Sequence, residues 1–93
     1  MIRSFGDRHS EKVWSGEYSK KFPREIQPGA RERMVILNEA RKLEDLYFPP
    51  SNGFHALSGK LSGFYALRIN RQWRVIFAWE NGDAEQVKIS DYH

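Results

Sequence analysis

Ninety-three residues suffice for one compact domain and leave no room for a second hydrophobic core. A hydrophobic share of 40% with 29% charged residues argues against both disorder and a membrane span. Cysteine is absent, which excludes a disulfide framework, a zinc knuckle and a thiol nucleophile and suits a reducing cytoplasm.

The net charge is +3 and the isoelectric point about 9.4, but the distribution tells more than the total. Between Asp45 and Glu80 there is no carboxylate, whereas Lys60, Arg68, Arg71 and Arg74 fall there together with His55. Such a positive segment suits a polyanionic partner.

The opening MIRSFGDRHSEKVWSGEYSK holds no apolar run long enough for a signal-peptide core, so export is not expected. Residues 2–5 read as a short strand. Asp7 is placed to cap a helix of about two turns ending near Gly16. Residues 16–27 mix Gly, Ser and Pro with the basic group Lys20, Lys21 and Arg24, and read as a connection with one helical turn.

After Pro28 the residues Ile36, Leu37, Ala40, Leu43 and Tyr47 form one apolar stripe at helical spacing. The stripe predicts a helix that runs to Pro49-Pro50, with Arg41 and Asp45 paired across one turn. Residues 48–63 (FPPSNGFHALSGKLSG) predict a loop with a short extended piece. Three strands are expected beyond it, at 64–69, 73–79 and 84–90. Asn81-Gly82 between the last two is the signature of a type I′ hairpin, because both central residues must accept positive φ. The run WRVIFAW has the nearly continuous apolar character of a central strand covered on both faces. Arg74 is its one charge, which implies that this end of the strand opens onto a polar site.

Asp91-Tyr92-His93 follows the last predicted strand and places an acid, a phenol and an imidazole at the edge of a sheet. Taken alone the tripeptide reads as a solvated terminus, and His55 as an idle loop histidine. Together with exposed cations they meet the needs of RNA cleavage by the neighbouring 2′-hydroxyl: a general base, a general acid and fixed positive charge. Histidine serves as either acid or base near neutrality. Tyr65, Trp73, Trp79 and Tyr92 are candidate base-stacking residues, with core packing favoured for Trp79 and Phe77. The acids and histidines are too few and too scattered for a metal site, so neither metal nor cofactor is expected.

The strand MIRSF, the helical middle, the loop histidine, LRINRQWRVIFAW, the Asn-Gly hairpin and the final DYH together resemble the HigB-type toxins. These are the plasmid-maintenance killer family within the RelE/ParE toxin superfamily. Gln72-Trp73-Arg74 and Asp91-Tyr92-His93 carry the resemblance most specifically. It implies an α+β fold with N-terminal helices packed on a small antiparallel sheet, like that of microbial RNases. It also implies a ribosome-dependent endoribonuclease that cuts mRNA, neutralised by a helix-turn-helix antitoxin of the HigA type. Operator DNA would be read only by the toxin–antitoxin complex. The family's active-site positions fall on His55, Arg74, Asp91, Tyr92 and His93. Independently of the resemblance, the acid-free segment makes Lys60, Arg68 and Arg71 the expected RNA contacts. Family members can carry a basic residue shortly after the loop histidine, where this chain has Ser58, and Lys60 is the nearest substitute.

Two other readings fit the same residues less completely. A ParE-like poison of DNA gyrase uses the same fold but has no need of clustered acid and base groups. A plain RNA-binding module explains the positive segment and leaves the terminal triplet idle.

Overall fold

The computed structural model describes residues 1–92. Asp7 caps α1 (Arg8–Trp14) through its carboxylate, which accepts the Ser10 N–H at 2.6 Å. After a connection with a single 3₁₀ turn at Arg24–Ile26 comes α2 (Gln27–Glu39), with Pro28 in its first turn.

The sheet is antiparallel, in the order β1 (His55–Ala56), β2 (Phe64–Arg68), β3 (Trp73–Glu80), β4 (Asp83–Asp91). Asn81 and Gly82 join β3 to β4 with φ of 53° and 82°, the two positive values that a type I′ turn requires. Residues 2–5 are not a full strand. They run parallel beside β4 and bridge it at Ile2–Ala84 and Phe5–Val87.

A bulge explains that spacing. The β3–β4 register shifts between Ile76 and Ala78, and Gln86 takes φ of 53°. Ala84 and Val87, three residues apart, therefore both reach the core, and Ile2 and Phe5 follow them at the same interval. Ser4 Oγ holds the bulge by accepting the Gln86 N–H at 2.9 Å and donating to Glu85 at 2.9 Å.

The predicted long helix is shorter than its apolar stripe. Ala40 is extended, a 3₁₀ turn occupies Leu43–Leu46, and the Asp45 carboxylate accepts the main-chain N–H groups of Arg41 (2.9 Å) and Lys42 (3.2 Å). Those bonds hold the Asp45 carboxyl below its usual range, the Arg41 N–H being the largest cause. Asp45 thus caps a new turn and does not lengthen the helix through a pair with the Arg41 side chain.

One core cluster joins Val13, Ala30, Met34 and Leu37 of the helices to Leu67, Val75, Phe77, Val87 and Ile89 of the sheet. Alternation along the strands puts Ala66 and Ile76 on the opposite face; both are buried, yet neither belongs to that cluster. The helices therefore cover one face of β3, where continuous apolar character predicts cover on both. The second face is the one that carries charge.

Candidate functional site

On the face away from the helices, cross-strand pairing arranges the side chains in rows. One row runs His55, Ala66, Ile76, Lys88, and the next runs Arg68, Arg74, Ser90. Tyr92 continues the β4 alternation of Lys88 and Ser90, and its ring meets the Arg74 guanidinium at 4.8 Å from centroid to Cζ.

Arg68 and Arg74 stand directly opposite each other, a placement that repels. Arg68 Nε donates to the Asn70 carbonyl at 3.1 Å. Arg74 Nε is buried and has no hydrogen-bond partner among the described residues. A buried donor left unmet costs roughly 1–3 kcal/mol, and a bound anion would relieve both the orphan donor and the like-charge pair.

His55 sits on the two-residue edge strand β1 and is exposed. Its Nδ1 lies 3.1 Å from the Gly53 carbonyl. A carbonyl only accepts, so this bond puts the proton on Nδ1 and leaves Nε2 with a lone pair in the neutral ring. Gly53 has φ of 58°, and a Cβ there would meet Arg68 Cβ at 2.7 Å, so the loop that positions His55 is seated on the Arg68 stem. Gly53→Ala should cost about 1–2 kcal/mol from the left-handed backbone alone and displace the His55 loop. Thermal unfolding and cleavage measured on that variant should fall together.

The structure separates Asp91 from this face. Asp91 is the last residue of β4 and pairs with Trp73, whose ring is on the helix side, edge-on to Phe22 at 5.9 Å. Gln72 ties the strand end twice: its Nε2 donates to Asp91 Oδ2 at 3.0 Å, and its carbonyl accepts the Tyr92 N–H at 2.8 Å. His93 lies outside the described residues.

Lys60, in the turn Gly59–Leu61, and Arg71, in the β2–β3 connection, are exposed on connections and not on the rows of the face. Of the four aromatics suggested for stacking, Tyr65, Trp73 and Trp79 pack against the core; Tyr92 stays on the charged face. Sequence reasoning missed Lys88, although Lys88, Ser90 and Tyr92 share the period of two that marks one strand face.

A family model described as the RelE-like toxin of the type II toxin-antitoxin system HigB matches residues 3–93. This chain belongs to the HigB-like toxin family. An antitoxin is therefore its partner in such a system. Toxin HigB-1 of Vibrio cholerae serotype O1 is 33% identical over 85 residues, covering 90% of each chain. Endoribonuclease HigB of Proteus vulgaris is 24% identical over 93 residues, covering 100% of each.

Among solved structures, YafQ from E. coli BL21(DE3) superposes with a TM-score of 0.63 at 11% identity, over 99% of this chain and 94% of its own. A chain of the YoeB-YefM complex from Staphylococcus aureus gives 0.63 at 13%, over 100% of this chain and 98% of its own. At these identities the structural likeness speaks for the fold, the α+β sheet-and-helix arrangement expected of HigB-like toxins. No helix among the described residues is long and apolar enough to cross a membrane.

Proposed function

We propose that the chain is an endoribonuclease that cleaves mRNA on the ribosome, without a metal, through attack of a 2′-hydroxyl on the adjacent phosphate. The observation that carries the reading is Arg74: a buried guanidinium donor with no partner among the described residues, beneath Tyr92 and opposite Arg68, in a chain of the HigB-like toxin family. The Proteus vulgaris relative, named an endoribonuclease, supports the same activity.

In this reaction the 2′-oxygen bonds to phosphorus as the 5′-oxygen departs, leaving a 2′,3′-cyclic phosphate and a 5′-hydroxyl. A base must take the 2′-proton and an acid must supply one to the leaving oxygen. His55, with Nε2 free in its Nδ1–H tautomer, is assigned the base and His93 the acid. Arg74 holds the charge that builds on the phosphate, with Arg68 beside it. Tyr92 stacks or positions a base, and Asp91 anchors the strand end that carries His93. Lys60 and Arg71 are assigned to the RNA backbone. His55 and Arg74 lie on β1 and β3, two inter-strand spacings apart and two residues out of line, or about 12 Å between backbones, a gap that an extended arginine and a phosphate can fill.

The partner is assigned as a helix-turn-helix antitoxin of the HigA type, with operator DNA bound only by the complex. Inducing the protein in cells and mapping new mRNA 5′ ends, beside a gyrase supercoiling assay, tests the function. Codon-periodic cuts are expected. Inhibited supercoiling with intact mRNA would replace this reading with a gyrase poison.

A further inference from the structure

A second positive surface lies on the helical side of the molecule. An open groove of about 560 Å³ is lined by His9, Lys12, Tyr18, Ser19, Lys20 and Lys21. Three ammonium groups share it and no carboxylate among the described residues lines it; Glu11 and Glu17 border the adjoining depression along α1. Lys12, Lys20 and Lys21 are exposed. Tyr18 is 45% exposed, with the Arg24 guanidinium stacked 4.0 Å from its ring. An aromatic ring backed by arginine is a platform for an unpaired base.

The lysines are displayed by a loop that the fold fixes with buried polar bonds. Ser19 is 1% exposed. The Gln27 side chain grips the loop by accepting the Ser19 N–H (3.1 Å) and donating to the carbonyls of Ser19 (2.7 Å) and Phe22 (3.0 Å). A satisfied buried amide thus fixes a turn whose exposed residues are like-charged.

The groove also adjoins the candidate reaction centre. Phe22, one residue beyond Lys21, packs edge-on against Trp73, which pairs across the sheet with Asp91. Ser10, next to His9, accepts the Ile89 N–H at 2.9 Å, two residues before Asp91. Both walls of the groove are thus tied to the strand end that carries the terminal triplet.

We infer that this groove is a second RNA-binding surface, which takes the backbone phosphates of the single strand leading away from the cleaved bond around the end of the sheet. The inference rests on the nuclease reading above and extends it from one face to two. Tyr18 stacks a base while Lys12, Lys20 and Lys21 pair with successive phosphates.

The test measures binding of the full chain to a 2′-O-methyl RNA oligonucleotide, which cannot be cleaved, over a series of salt concentrations. Lys20→Gln/Lys21→Gln is compared with Arg41→Gln/Lys42→Gln, an equal charge loss at exposed residues near the distal hairpin, where the Arg41 carbonyl lies close to Gly82. The groove pair should weaken binding about tenfold and lower the salt slope by about 1.4, twice the roughly 0.7 per single-strand phosphate. The distal pair should do neither.

Equal effects from both pairs would overturn the inference in favour of overall charge. Unchanged oligonucleotide binding with loss of ribosome or antitoxin binding would overturn it in favour of that other partner. Because the probe is never cut, a parent that binds through the groove yet cleaves no RNA retires the nuclease assignment alone.

Discussion

Replacing Arg74 with methionine should lower RNA cleavage by about 10²–10³-fold, the usual cost of one preorganised donor to a developing anion, with no loss of thermal stability. The two expectations have one cause. Arg74 Nε is buried without a partner among the described residues, so a side chain of similar length that lacks the donor removes a desolvation penalty along with the guanidinium. The cation–π contact with Tyr92 offsets part of that gain, which leaves melting near the parental value. Arg74→Lys keeps the charge and loses the fork, and should recover little of the activity. A methionine variant that cleaves at the parental rate, or that is inactive because it unfolds, would remove Arg74 from the reaction.

The second large effect concerns the histidines. His55→Ala and His93→Gln should each reduce cleavage by about 10²–10⁴-fold, and the double variant by much less than the product, since acid and base act as a unit. Parental cleavage rates in both single variants would end the assignment.

Point substitutions serve here better than deletion of the terminal triplet. Asp91 belongs to β4 and the Tyr92 N–H bonds to Gln72. Truncation would therefore remove sheet bonds and the cover over Arg74, and would not act as a surface change.

What was legible in the sequence follows from how local each determinant is. The Asn81-Gly82 turn depends on two residues and their tolerance of positive φ, and the structure has both. The stripe from Ile36 to Tyr47 reported burial only as far as its backbone was helical. Leu37 and Ala40 are in the core and Ile36 packs against it, but the helix ends at Glu39. Beyond it Tyr47 is 49% exposed and Leu46, outside the stripe, is fully buried, because the turn capped by the Asp45 carboxylate rotates the chain out of helical phase.

The bulge at Gln86 lay beyond sequence reading because no glycine marks it. It is fixed by Ser4, more than eighty positions away. The basic row was foreseeable in Arg68 and Arg74, whose acid-free context is local. Lys88 and the anchoring of Asp91 by Gln72 depend on the pairing of β3 with β4, so they emerge only once the register is known.

β1 has a consequence for how the protein responds to heat. Arg74 stands on the central strand of the sheet, whereas His55 stands on two residues at its margin, in a segment with little regular structure beyond 3₁₀ turns. Margins of this kind open at a small fraction of the global unfolding free energy. On warming, the loop that bears His55 should detach while the strand that bears Arg74 remains folded. Catalysis then fades some degrees before the melting transition, reversibly, and amide exchange along residues 53–57 follows the loss.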